Sequence, residues 1–298
     1  MMIGVEIRDG SVLAVAVDAD GGVTARTSAA SSGADVVAAA VGAVERVTPA
    51  SSGPSSIGIA APDVDRPASA RVLESLASKY AALFECRAVL GGGTAAAVAE
   101  AWIGAARGVA DVVYFGVADH ASAGFIRNGQ AATGAHGREP MAGWLALNPV
   151  EREDYRKIGC LEAEVAAAGI VRRLIWRIKA GDRSRVSDTV GGDLSGITAD
   201  HVLNAARDGD GVSISVVRDT AKYLGMAAAN LVIDSDPERL VLGGIMASAA
   251  DLLFEPVRAE LARRLPRPMM DALAIAPAAL GADAAAIGAA RLATAALQ

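Results

Sequence analysis

The chain has 298 residues, 52% hydrophobic and only 4% aromatic, and its 34 acidic against 28 basic side chains leave a net charge of −6. That length exceeds what one hydrophobic core usually fills, so two domains are expected, and the apolar fraction excludes disorder as the overall state. The acidic balance, with only short basic pairs such as Arg172-Arg173 and Arg263-Arg264, argues against nucleic acid as a partner.

Residues 3–7 and 12–17 read as apolar strands joined at Asp9-Gly10, and a second turn over 18–22 leads into a strand at 23–26, an antiparallel meander. An alanine-rich helix is predicted over 34–47, followed by a loop of Pro, Ser and Gly and a buried strand at 56–61. A helix over 71–84, a short strand at 88–90 and a helix over 95–106 complete this half. A second meander opens with strands at 111–117 and 124–127 and a hairpin turn at Asn128-Gly129, whereas 131–159 has no regular pattern. One helix is predicted over 160–179, then a polar break over 181–195 and a helix from Thr198 with Asp200 in its first turn. A long apolar-faced helix over 213–233 precedes a strand at 239–242, a helix over 248–265, a strand at 272–275 and a helix over 282–296. Two meander-plus-helix halves imply a duplicated α/β fold, with one domain over 1–108, joined by the terminal helix 282–298, and another over 109–281.

The two cysteines, Cys86 and Cys160, lack the spacing of a metal knuckle or a redox pair and suit a reducing compartment. Neither an export leader nor an apolar run long enough for a bilayer is legible, so a cytoplasmic protein with no membrane partner is expected.

Several stretches carry a family resemblance: AAAVAEAW at 95–102 with GAARG at 104–108, GAHG at 134–137, GCLE at 159–162, YLG at 223–225, PERLVLGG at 237–244 and LGADAAAIGAA at 280–290. With them the chain resembles the ROK family of bacterial sugar kinases and related repressors over essentially its whole length. The resemblance implies an α/β, two-lobed actin-like (ribonuclease H-like) sugar kinase fold and a homodimer associated through the second lobe. It also implies a remnant of the adenosine side of a nucleotide pocket at Gly243 and Gly244, and a sugar-contacting position at Glu162.

The reactive groups of the family are replaced. Its N-terminal phosphate loop, an Asp followed by Gly-Gly-Thr, is here Glu6-Ile7-Arg8-Asp9-Gly10, where an acidic side chain repels phosphate and Arg8 stands in for glycine. Its second, glycine-rich phosphate loop is Ala118-Asp119-His120-Ala121-Ser122-Ala123-Gly124, and its base, the Asp of Asn-Asp-Ala-Asn, falls on Gly92 of Gly91-Gly92-Gly93-Thr94. Loss of a general base alone costs about 10²- to 10⁴-fold in rate. The family's sugar- and zinc-binding Glu-x-Gly-His is Met141-Ala142-Gly143-Trp144, and Glu153 and Tyr155 replace two of its three zinc cysteines, leaving Cys160. One thiolate does not hold a structural zinc, and Trp144 is expected to fill the space.

The reading is therefore a pseudokinase with no catalytic residue, no cofactor and no metal, which binds a small molecule or a protein partner in the cleft between its lobes, with Glu162 as the ligand contact. The alternative is an ATP-dependent sugar kinase for a hexose or amino sugar that uses displaced residues such as Asp9, Asp119 or Glu139. A repressor of the family's type would need an N-terminal helix-turn-helix, for which a first strand at residue 3 leaves no room. Asp119-His120 is a tempting base pair, but adjacent strand residues face opposite sides. The glycines at 91–93 read as a permissive turn, since they lack the Lys and Ser/Thr of a P-loop. Glu100 and Arg107 read as structural or surface charges, His136 as a loop residue bonded to backbone, and His201 as solvent-facing.

Overall fold

A computed structural model of the chain describes residues 1–32, 35–49, 56–62, 67–80 and 86–295, with the side chains of 86–90 and 295 left aside. The predicted elements that reach into 33–34, 50–55, 81–85 and 296–298 lie to that extent outside the described residues.

The chain opens with β1 (Met2–Ile7), β2 (Ser11–Val17) and β3 (Val23–Ala30), then α1 (Val36–Val47), β4 (Ser56–Ala61), α2 (Pro67–Tyr80), β5 (Cys86–Gly91) and α3 (Gly92–Trp102). The second meander is β6 (Val112–Val117), β7 (Ala121–Arg127) and β8 (Gln130–Ala132). Six helices follow: α4 (Glu153–Ile158), α5 (Cys160–Val165), α6 (Ala167–Lys179), α7 (Arg185–Thr189), α8 (Ala199–Arg207) and α9 (Gly211–Ser235). The chain then runs through β9 (Arg239–Gly244), α10 (Ile245–Ser248), α11 (Ala250–Arg264), α12 (Arg267–Ala272), β10 (Ala274–Pro277) and α13 (Ala284–Ala295).

The strands form two five-stranded sheets, ordered β3-β2-β1-β4-β5 and β8-β7-β6-β9-β10. In the first, β1 pairs antiparallel with β2 and parallel with β4; in the second, β7 pairs antiparallel with β8, and β9 parallel with β10. The two sheets thus repeat one strand order, a duplication kept in topology while the residues have diverged. Asn128 and Gly129 close the β7–β8 hairpin at φ of 50° and 76°, the left-handed pair that a two-residue turn between twisted strands requires.

Two units emerge from the packing. The first comprises 1–114, 123–140 and 278–298, and the second 115–122 and 141–277. The terminal helix lies in the first unit; the boundary expected near residue 108 instead falls within β6 and again within β7. In the first unit Ile3, Val5, Val12, Ile57, Ile59, Val72 and Leu76 fill the space between the sheet and α1 and α2. On the other face Ala60, Ala95, Ala285 and Ala289 form an alanine-only cluster, so α3 and α13 approach the sheet at backbone distance.

Element limits moved where tertiary bonds intervene. α3 starts at Gly92, three residues before the predicted start, because a carboxylate from elsewhere in the unit satisfies its first turn, and it ends at Trp102 because Ala105 N–H donates to Glu100 Oε2 at 2.7 Å. The helix expected over 160–179 is two helices. Ala166 takes an extended ψ of 162°, which turns Ala167 N–H onto Ala118 O at 3.1 Å. α8 is capped by Thr198, and His201, expected to face solvent, closes a capping box by accepting from Thr198 N–H at 3.2 Å. Among the described residues no helix is long and apolar enough to cross a membrane.

Candidate functional site

In the first unit the glycine run 91–93 opens α3, with Gly91 as N-cap. Helix N-termini expose backbone N–H groups and carry partial positive charge, so they attract a carboxylate. Glu139 supplies one from 45 residues downstream: Thr94 N–H donates to its Oε2 at 2.8 Å. The fit is close, since a Cβ at Gly91 would lie 2.1 Å from the Glu139 carboxyl carbon. Gly92 differs, because the nearest atom to a Cβ there is Ala61 O at 3.9 Å. The carboxylate fills the space beside position 91.

Burial pushes the Glu139 carboxyl up to about 7, against the opposing pull of the bonds it receives at Thr94 and Gly93. Its folded pKa is thus above the unfolded value of 4.5. Below pH 4.5 the group is neutral in both states and costs nothing; as pH rises towards 7 the unfolded state ionises first and stability falls, and above 7 the loss is complete. The loss is on the order of 2 kcal/mol after allowance for partial exposure. Glu139→Gln is expected to flatten the fall in thermal midpoint between pH 5 and 8 and to be the more stable protein at pH 8, as read by circular dichroism melts; equal pH dependence in both would contradict the assignment.

The N-terminal loop is closed by its own side chains. Arg8 Nε donates to Glu6 Oε2 at 2.9 Å, and its Nη2 donates to Ala282 O at 2.6 Å. Burial raises the pKa of Glu6, and the bond from Arg8 partly offsets it. A guanidinium engaged in this way has no free fork for a phosphate, and these residues do not fit a nucleotide's phosphates or the metal that accompanies them.

In the second unit the loop after β6 folds back, Ala118 N–H donating to His120 O at 3.0 Å, and aims its imidazole at Glu162. Glu162 Oε1 lies 3.0 Å from His120 Nδ1, and its Oε2 accepts from Ala121 N–H at 3.0 Å. Asp119, the partner suggested by adjacency, is exposed, and the carboxylate facing His120 is Glu162. Gly143 and Gly159 frame the pair. A Cβ on Gly143 would sit 3.0 Å from Glu162 Oε2, and one on Gly159, at φ of 92°, would sit 2.3 Å from Gly143 O.

The surroundings of Trp144 and Cys160 differ from the expectation for Trp144. That side chain is 50% exposed and fills no space. Tyr155 does instead: it packs against Cys160 and Ala163, and its hydroxyl donates to Glu164. Asn148 Nδ2 donates to Tyr155 Oη at 3.2 Å and to Tyr223 Oη at 3.3 Å, Arg152 and Arg172 both pair with Asp154, and Glu153 pairs with Lys157 at 2.7 Å. The donor set here is one sulfur and a hydrogen-bonded phenol, which does not fit a tetrahedral zinc.

Gly243 is buried, and Gly244, at φ of 60°, has a backbone reason for being glycine, since a Cβ would lie 1.9 Å from Val117 O. That close approach explains the residue without a nucleotide. Sequence reasoning reached Glu162 by resemblance and Glu139 only as one of three displaced acids; His120 as the partner of Glu162 had no signal in the chain, because 42 residues separate them.

The chain is similar to known proteins over most of its length. The model of the ROK family matches residues 66–296. A glucokinase of Halalkalibacterium halodurans is 32% identical over 197 residues, 65% of this chain and 59% of that one. The DNA-binding transcriptional dual regulator NagC of Escherichia coli is 28% identical over 162 residues, 54% of this chain and 38% of the regulator. The chain thus spans less than two thirds of the length of either. Among solved structures, a ROK family glucokinase from Streptomyces griseus, in complex with glucose and AMPPNP, superposes with a TM-score of 0.84 at 23% identity over 98% of each chain. The fold is the actin-like α/β fold of these kinases. Because one relative is a DNA-binding regulator, the exclusion of a nucleic-acid partner drawn from net charge does not carry over to the family.

Proposed function

We proceed from the premise that the chain belongs to the ROK family, and we propose that it binds a sugar-like, polyhydroxylic ligand without phosphorylating it. The observation that carries this reading is the pairing of its own side chains where kinase chemistry needs open groups: Arg8 is held on Glu6 and Ala282, and His120 on Glu162, while Gly92 offers no base. A phosphoryl transfer depends on positioned phosphates and charge stabilisation, so occupied loops remove most of the catalysis even where a ligand still binds. Glu162 keeps the family's acceptor type at a sugar-contacting position, which supports a retained hydroxyl ligand.

The test is paired. With Mg²⁺-ATP and glucose, mannose, N-acetylglucosamine or N-acetylmannosamine, ADP release is expected to stay at the no-sugar background. In thermal-shift measurements at least one of these sugars is expected to raise the midpoint, as a ligand selective for the native state must. Sugar-dependent ADP formation would overturn the non-phosphorylating reading.

The kinase reading has one observation in its favour, the Glu139 carboxyl at the N-terminus of α3 with a pKa of about 7, which suits a general base. ADP formation lost in Glu139→Gln would establish it.

A further inference from the structure

We propose that His120 and Glu162 form a proton-controlled latch on the β6–β7 loop of the second unit. A proton taken up by the imidazole turns their hydrogen bond into an ion pair that clamps the loop onto α5, and its loss near neutral pH slackens the clamp. The latch acts on the same carboxylate that the ligand-binding reading uses, but its test needs no ligand, so the two ideas fail separately.

Glu162 holds the loop with both oxygens. Its Oε1 lies 3.0 Å from His120 Nδ1, and its Oε2 accepts from Ala121 N–H at 3.0 Å. The loop itself is tightly folded: Ala118 N–H donates to His120 O at 3.0 Å, and Ala118 O accepts from Ala167 N–H at 3.1 Å where α6 begins. On the other side of the carboxylate stands Gly143, where a Cβ would lie 3.0 Å from Oε2. The imidazole is 26% and the carboxylate 15% exposed, so water screens this pair less than it screens an ion pair on the surface.

Within the second unit the surrounding groups leave Glu162 as the counter-charge of the ring. Asp119, beside His120 on the loop, is exposed. Glu164, the other acid of α5, accepts from the Tyr155 hydroxyl and pairs with Arg152 and Arg172. Cys160, at the start of α5, packs against Tyr155 and Ala163. Gly143 and Gly159, which frame the pair, carry no charge.

The sign follows from the partner. A carboxylate beside an imidazole favours the protonated ring, so the folded chain holds this proton more tightly than an unfolded one, whose histidines titrate near about 6.5. The latch contributes fully below that pH and is lost as pH rises through the higher folded value. Global stability does not isolate it, because Glu139 in the first unit also lowers stability as pH rises. The Ala121 amide, bonded to the same carboxylate, is a local reporter.

The experiment is nuclear magnetic resonance on the wild type, Glu162→Gln and His120→Asn. The chain has three histidines, and the His120 ring signal is the one that His120→Asn removes. In the wild type this ring is expected to titrate above about 6.5, and lower in Glu162→Gln than in the wild type. Protection of the Ala121 amide against hydrogen exchange, corrected for the intrinsic rate, is expected to fall at least about threefold from about pH 5.5 to about pH 8.5 in the wild type and to stay level in His120→Asn. If Glu162→Gln does not fold, the wild-type titration and the His120→Asn exchange still decide. A His120 ring that titrates at or below the ordinary value, or Ala121 protection that changes with pH equally in the wild type and His120→Asn, overturns the latch.

Discussion

Glu100→Ala is expected to lower the unfolding free energy by about 2 to 4 kcal/mol, because it takes a buried carboxylate away from three backbone donors at the edge of the core, and a hydrogen bond to a charged acceptor contributes about 1.5–3 kcal/mol. Glu100 is fully buried in α3, and its carboxylate accepts from Ala105 N–H at 2.7 Å, Ala279 N–H at 3.0 Å and Leu280 N–H at 2.9 Å. The last two lie 179 and 180 residues away, so this single side chain fastens the entry to the terminal helix onto α3. Gly104 belongs to the same arrangement, since a Cβ there would fall 2.1 Å from Glu100 Oε2. Urea unfolding of Glu100→Ala should show a lower midpoint, with Glu100→Gln between it and the wild type, because the amide retains one acceptor. A change within about 0.5 kcal/mol, the range of an ordinary surface substitution, would refute this structural role.

The second large effect is expected at the alanine-lined face. A Cβ on Gly288 would lie 1.7 Å from Ala95 O, and one on Gly58 would lie 1.8 Å from Ala289 O. In both places the obstacle is backbone, which cannot rotate away as a side chain can, so α13 must lift from α3 or from β4. Gly58→Ala and Gly288→Ala should each destabilise by about 3 kcal/mol or more, the upper range for overpacking. Both should appear mainly in inclusion bodies or melt well below the wild type. Gly10→Ala is the control: no atom lies within 4 Å of a Cβ there, and its midpoint is expected to match the wild type. A normal melt for Gly58→Ala would mean that the helix does not sit on the sheet at this distance.

The strands of the first meander, the Asn128-Gly129 hairpin and the long helix α9 follow from local pattern, because alternation, turn preference and a 3.6-residue stripe are written within a few neighbours. The start of α3 and the break between α5 and α6 do not. Each depends on a bond to a distant group, Thr94 N–H to Glu139 in one case and Ala167 N–H to Ala118 O in the other. Trp144 departs from expectation for a related reason. Its size suggested a plug, but Tyr155 had the geometry to reach Glu164 while packing on Cys160, and the indole was left half in water.

The site divides in the same way. That position 92 is a glycine, that positions 8, 9 and 120 carry Arg, Asp and His, and that Cys86 and Cys160 are the two cysteines are facts of the chain alone, since a functional group missing at a position is missing in any fold. What the surviving groups do instead was decided by tertiary structure. Glu139 reaches α3 across 45 residues and Glu162 meets His120 across 42, and no periodicity or propensity encodes a hydrogen bond between partners so far apart. A sequence specifies which donors and acceptors exist; the packing of helices on sheets fixes which of them come within 3 Å, and burial then sets the cost of leaving any of them unpaired.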